Sequence, residues 1–332
     1  MHNVRRRDNE HLMRGIENNK SGHTSESWRV IDSVQYGAVY SVVKFLSLLP
    51  FSLLYLLSDA LFLPLYYLVR YRRKVVRRNL KESFPAKTDE EILRIEKRFY
   101  HFFIDVVLES CKLLSISPAE MKKRMNFVNM DLLREMLAGG ESVSVFLGHY
   151  GNWEWISSSG LWFDENETVA QVYHPLRNKP VDRIMLKIRR RMGNACVEMT
   201  KTVRFVAELK DSGTPRILGL IADQSPAKNG LKHYLHFLNH EVPVLTGSEK
   251  VTKHFGLEAV FLGVKRVKRG YYECNLSVLH PNPASLPDYE LTSIFFERLE
   301  SEIQRQPECY LWSHKRFKYA KNKNDRQEAE LQ

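Results

Sequence analysis

The chain has 332 residues, carries a net charge of +11 and is 43% hydrophobic. That composition allows a sizeable core, and the charge excess points to an anionic partner: nucleic acid, an anionic lipid face, or an acidic protein or substrate. Four cysteines (Cys111, Cys196, Cys274, Cys309) are scattered without CxxC spacing, which favours free thiols in a reducing compartment over a disulfide framework.

Residues 1–28 are polar and basic with little periodicity and read as a mobile tail, within which Met13 offers an alternative start. No signal-peptide pattern opens the chain. Residues 29–75 are assigned to a membrane anchor. Their apolar heart, VYSVVKFLSLLPFSLLYLLSDALFLPLYYLV, is broken by Lys44, Pro50, Asp59 and Pro64, whereas a spanning helix needs about 20 apolar residues in a row. The reading adopted is an anchor that is broken or dips into one leaflet; a pair of buried core helices is the competing one. Six of the nine residues from Arg70 to Arg78 are Arg or Lys. Beside an anchor they suit anionic headgroups, although a solvated helix face has the same composition.

From Asp89 to Leu114, Ile92, Ile95, Phe99, Phe102, Val106 and their neighbours recur at helical spacing. Ser117 followed by Pro118 predicts the start of another helix. Strands are predicted at SVSVFLG (142–148), TVAQVYH (168–174), RILGLIADQ (216–224), LEAVFLGVKRV and YYECNLSVL, with helices over 152–162, 179–192, 201–211 and 244–255. Strands alternating with helices predict an α/β fold, a mostly parallel central sheet flanked by helices. No internal repeat appears.

Ligands gather at the carboxyl ends of strands in such sheets. His149 follows one such end, Asp223 and Gln224 a second, His174 and Asn178 a third. In GHYGNWEW, His149 and Glu154 lie five apart and would not meet on a regular helix. Gly148 and Gly151 suggest a tight strand-to-helix turn that brings them together. The pair has the composition of a general base and its orienter: a neutral imidazole to take a proton from an alcohol, and a carboxylate on its other ring nitrogen. Arg183, Lys187, Arg190 and Arg191 would form basic stripes suited to phosphates or an anionic carrier. His236 and His240 have i, i+4 spacing used by zinc sites, but the residues between them read equally well as a strand and no further ligand completes a set, so no metal is expected. Ser157–Ser159 lack the G-x-S-x-G elbow of a serine nucleophile. PECYLWSHKRFK, with its mixed aromatic and basic residues, could stack bases or close the domain and line a binding edge.

These blocks together resemble the late acyltransferases of lipid A biosynthesis, a family of membrane-bound enzymes of Gram-negative bacteria. GHYGNWEW resembles the family's His-x4-Glu/Asp signature. VYHPLRN…D…RRRMG is similar to its second block, placing Asn178, Asp182, Arg189 and Arg191 on motif positions. ADQSP resembles its short Asp-rich block, and PECYLWSHKRFK its C-terminal block. His174 and Lys315 depart from arginines common in the family.

The resemblance implies a glycerol-phosphate-acyltransferase-like fold over 76–318, followed by a polar tail at 319–332. It implies transfer of a fatty acyl chain from acyl carrier protein to a hydroxyl of a phosphorylated glycolipid acceptor, at the cytoplasmic face of the inner membrane. His149 and Glu154 would be catalytic, Arg189 would steady an oxyanion or a phosphate, and Asn178, Asp182, Arg191, Asp223 and Gln224 would bind substrate. No cofactor and no nucleic acid is expected. An amino-acid lipid or a lysophospholipid as acceptor is one alternative, and a membrane-tethered nucleic-acid-binding or scaffold protein is another.

Overall fold

A computed structural model describes residues 26–163, 168–211, 213 and 215–321. The expected tails at 1–28 and 319–332 lie largely outside them. Helices α1 (Glu26–Leu48) and α2 (Phe51–Leu63) meet at Pro50, and α2 runs on as a π-helical segment over Pro64–Val69. Pro50 cannot donate to a helical ladder, so the break falls there. A side chain meets carbonyls at the end of α1 and just past it: Lys112 Nζ donates to Ser47 O (2.8 Å) and Leu49 O (2.5 Å). Arg70 and Arg72, both at positive φ, turn the chain into α3 (Arg73–Ser83), and α4 (Asp89–Lys112) follows. A capping box between Thr88 and Glu91 starts α4. The i, i+3, i+4 spacing of Ile92, Ile95, Phe99, Phe102 and Val106 buries one side of it.

The anchor region is therefore docked on one side. Leu54, Ser58, Phe62 and Tyr66 are buried, and polar bonds fix them to α4: Ser58 Oγ to Asp105 (2.7 Å) and the Tyr66 hydroxyl to Glu96 (2.8 Å). The other side is apolar and exposed, with Leu53, Leu56, Leu61, Leu63, Leu68 and Val69 facing outward from α2 and its extension, and Val42, Phe45 and Leu48 from α1. Phe51–Val69 is long and apolar enough to cross a bilayer. Of the basic run, Arg73 and Arg77 pair with Glu96 and Arg72 donates to Ser313 O, while Arg70, Lys74 and Arg78 stay exposed.

Next come α5 (Pro118–Arg124), β1 (Met125–Phe127), α6 (Asp131–Ala138), β2 (Val143–Leu147), β3 (Thr168–Tyr173), α7 (Lys179–Arg190), β4 (Ala195–Glu198), α8 (Thr202–Asp211) and β5 (Arg216–Ile221). Then follow β6 (Tyr234–Phe237), β7 (His240–Pro243), α9 (Gly247–Phe255), β8 (Glu258–Lys268), β9 (Tyr271–His280) and α10 (Glu290–Arg305). Seven strands form one sheet in the order β1-β9-β8-β2-β5-β3-β4. All neighbours pair parallel except β8 with β9, a hairpin. The central strand β2 is buried at every position, as a strand covered on both faces must be. The expected mostly parallel α/β sheet is what the chain forms.

Several elements were not predicted: β1 and β4 are three and four residues long, whereas α10 carries a full helical face (Leu291, Phe295, Leu299, Ile303) that the sequence reading missed. His233–His240 resolves into the β6–β7 hairpin, in which His236 faces Glu241 across the strands. His240 Nδ1 lies 2.6 Å from Leu238 O, and its ring stacks on Phe317.

Candidate active site

The sheet register builds the site. Leu147 of β2 is the parallel partner of Ile221 of β5, and Ala222 N donates to Leu147 O at 3.1 Å. Two residues beyond each member of that rung stand His149 and Asp223. His149 Nδ1 lies 2.7 Å from Asp223 Oδ1, and Gln224 Nε2 lies 3.1 Å from His149 Nε2. The indole of Trp153 meets the imidazole edge-on, with centroids 5.5 Å apart.

Burial alone would raise the Asp223 carboxyl, but the His149 charge and hydrogen bonds, with Arg316 behind them, hold it below the usual carboxylate range. An ionised Asp223 keeps the proton on Nδ1, so Nε2 carries the lone pair and takes a bond from the Gln224 amide. His149 and Gln224 line a cavity of about 920 Å³, whereas Asp223 sits behind the ring, 2% exposed.

The turn after β2 is as tight as its glycines predict. Gly151 has φ +62, and a Cβ there would lie 2.4 Å from Val264 Cγ1; a Cβ on Gly148 would meet Leu299 Cδ1 at 2.7 Å. Only glycine satisfies both the left-handed backbone and the close approach at 151. The C-terminal block pairs with this turn: Leu311 N donates to His149 O and Gly151 N to Cys309 O.

Glu154 does not contact His149 as expected. Both its oxygens are taken by Arg189, with Nε at 2.9 Å and Nη2 at 2.6 Å. The carboxylate on the imidazole is Asp223 instead, because strand pairing delivers it there, while the turn carries Glu154 toward α7. Burial would lower the Arg189 guanidinium; the Glu154 bonds and charge outweigh it and raise it further. Arg189 and Glu154 both line the cavity, and the bidentate pair leaves Nη1 of Arg189 outside it.

The other residues expected to bind substrate hold scaffold. Asn178 caps α7 by accepting from Val181 N (3.1 Å), and Asp182 accepts from Leu176 N (2.8 Å). Arg191 Nη1 donates to Leu113 O and Ile116 O at 2.9 and 2.6 Å. None of the three is among the cavity-lining residues. The expected basic stripe on α7 is partly used by α1: Arg183 stacks over Tyr36, and Lys187 lies over Tyr40.

The cavity's inner wall is apolar, with Phe127, Met130, Leu133, Val145, Val169, Leu262 and Leu276 among its lining. The polar part of the lining includes His174, Arg189, His314, Lys315, Lys318 and Tyr319. Burial first, then the neighbouring His149, Arg316 and Arg72 charges, push the His314 imidazole down to about 4 against the pull of Asp223. His314 is therefore neutral near pH 7. The C-terminal aromatics are core rather than a platform for bases: Tyr310, Trp312 and Phe317 are all buried. That removes the observation behind the nucleic-acid alternative.

An apolar cavity with a His–Asp pair and a cation at its polar end fits transfer of a group with a long hydrocarbon tail. The sequence profile of the family described as bacterial lipid A biosynthesis acyltransferase matches residues 24–319. The lipid A biosynthesis palmitoleoyltransferase of Escherichia coli (strain K12) is 21% identical over 252 residues, 75% of this chain and 80% of its own. A lipid A biosynthesis acyltransferase of Shigella flexneri matches to the same extent. Lipid A biosynthesis acyltransferase 2 of that organism is 27% identical over 127 residues, 37% of this chain and 40% of its own.

Proposed function

The chain belongs to the bacterial lipid A biosynthesis acyltransferase family, and from that premise we propose that it moves a fatty acyl chain from acyl carrier protein to a hydroxyl of a phosphorylated glucosamine lipid already carrying acyl chains. It is an O-acyltransferase of lipid A biosynthesis. The observation that carries the finer reading is His149, with Nδ1 on Asp223 and its ring in the lining of a largely apolar cavity.

Nε2 takes the proton of the acceptor hydroxyl as its oxygen attacks the thioester carbonyl. A C–O bond forms, and the carbonyl becomes an oxyanion beside Arg189. The intermediate collapses, the C–S bond breaks, and the imidazolium returns its proton to the leaving thiolate. Asp223 steadies the imidazolium in between. Glu154 aims the guanidinium, a positioning role in place of the expected one on His149. No covalent acyl-enzyme and no cofactor enters this sequence.

The exposed apolar side of α2 dips into the cytoplasmic leaflet of the inner membrane, with Arg70, Lys74 and Arg78 on anionic headgroups, each worth about 1 kcal/mol. The polar bonds from α2 to α4 and Arg269 support a docked helix rather than a detached span. Lys315 and Lys318, exposed residues of the cavity lining, suit the phosphates of the acceptor and the acidic carrier.

The test is transfer of label from acyl carrier protein to a purified tetra- or penta-acylated lipid A precursor by the purified protein, with the product read by mass spectrometry. His149→Ala is expected to lose at least about 10³-fold in rate. Undiminished transfer by that variant overturns the reading.

A further inference from the structure

Beneath the catalytic turn lies a carboxylate with no part in the chemistry above. Glu109 of α4 is wholly buried. Its Oε1 accepts from the Tyr55 hydroxyl of α2 at 2.8 Å. Its Oε2 accepts from Asn152 Nδ2 at 2.7 Å and from the Tyr272 hydroxyl of β9 at 2.8 Å. Its backbone carbonyl accepts from the Trp155 indole at 2.8 Å, and Asn152 Oδ1 in turn accepts from Trp155 N at 3.1 Å. Both ends of the segment 152–155 are thus tied to one residue of α4, while the two residues between them, Trp153 and Glu154, line the cavity.

We propose that Glu109 is a positioning residue for acyl transfer: by gripping Asn152 and Trp155 it sets the turn from which Glu154 reaches Arg189 and Trp153 meets His149. The proposal rests on the reading of His149 and Arg189 as the reacting groups. Three donors converge on one side-chain carboxylate. A carboxylate has acceptor sites for all of them, whereas an amide offers one oxygen and puts a donor against a donor on the other side. Burial and then the Asp105 charge lift the Glu109 carboxyl to about 7, against the Tyr55 and Tyr272 hydroxyls and Arg266. A buried acid with that little margin is retained at a cost that an apolar side chain would avoid, which fits a role other than packing.

Glu109→Gln is the direct test. Transfer by the variant is expected to fall about 10- to 100-fold in kcat with KM for both substrates little changed, the size of loss that a small misplacement of reacting groups causes. Hydrogen exchange of the amides at 150–156 should speed up while that of the β5 amides does not. Asn152→Ala should reproduce both effects, and the double variant should have a kcat no lower than Asn152→Ala alone, because the link both changes share is the Glu109–Asn152 bond. Tyr272→Phe is the control, since it removes a donor from the same carboxylate while keeping the ring that packs edge-on against Trp155. Its melting temperature should drop while kcat stays within about threefold of the parent.

Wild-type kcat with unchanged turn protection in Glu109→Gln overturns the proposal. So do losses that multiply in the double variant, or a Tyr272→Phe loss as large as that of Glu109→Gln. If Glu109→Gln does not fold, Asn152→Ala reads the same link from the turn side. Should His149→Ala retain transfer, the catalytic reading fails, and the exchange rates at 150–156 still decide whether Glu109 holds the turn.

Discussion

His149 and Asp223 stand at equal offsets past one rung of the sheet, the Leu147–Ile221 pair, so the hydrogen bond between them is set by β-strand register. Their separation of 74 positions along the chain does not enter into it. A slip of one residue in the β2–β5 pairing would turn one of the two side chains to the opposite face.

Asp223→Asn keeps the shape but presents an amide to Nδ1, which favours the wrong tautomer. kcat should fall about 10³- to 10⁴-fold with acceptor binding nearly intact. Steady-state kinetics at saturating acyl donor decide it, and a loss below tenfold would place the proton transfer elsewhere.

Arg189→Lys retains the charge but not the two-pronged bond to Glu154. We expect about a 10²-fold loss in kcat, and Glu154→Gln should show a smaller loss through the same pair. In a double-mutant cycle the two should be strongly coupled. Additive losses would mean that Glu154 acts by another route.

His314 gives a pH signature. Its folded-state value, about 4, lies below the ordinary histidine value, so the unfolded chain binds a proton more readily. Stability is then undiminished above about pH 6.5 and is lost progressively as pH falls from there toward 4, on the order of 3 kcal/mol in full. Asp223, also lowered, adds its own loss only further into acid, as pH falls through its folded value. His314→Gln should flatten the melting temperature between pH 6.5 and 4.5 relative to the parent chain; an unchanged slope would refute the assignment.

Gly151→Ala should be costly beyond its size. The left-handed backbone disfavours any side chain there by about 1 kcal/mol, and the added methyl collides with Val264. A total of about 2–4 kcal/mol in denaturant unfolding is expected, with lower transfer activity, because the turn that carries His149 must shift.

Leu56→Asp and Leu68→Asp alter only the exposed side of α2 and its extension. Flotation with anionic vesicles should weaken by at least tenfold for each, from about 1.5–3 kcal/mol of lost apolar burial, while thermal stability in detergent stays put. Equal flotation would show that this side faces no lipid.

The legible part of the fold was the part with periodicity. Val143–Leu147 and Arg216–Ile221 announce themselves as buried strands, and α4 by its spacing. Ala195–Glu198, four residues long, has no room to show a period, and Met125–Phe127 has less. At the site, GHYGNWEW marked the histidine and the tightness of the turn, and ADQ marked the aspartate. What stayed hidden was which acid meets which base. Proximity along the chain favoured Glu154, and only the adjacency of β2 and β5 reveals Asp223. Asn178, Asp182 and Arg191 were singled out by position in a motif, whereas their bonds to Val181, Leu176, Leu113 and Ile116 show that a motif also marks residues needed to brace a helix.

The pairing of residues 309–311 with the histidine turn has a consequence for biogenesis. The segment that supports the reactive imidazole is synthesised well after the apolar helices α1 and α2. A chain arrested at residue 305 is therefore expected to carry the exposed apolar side of α2 yet lack the backbone bonds that brace the His149 turn.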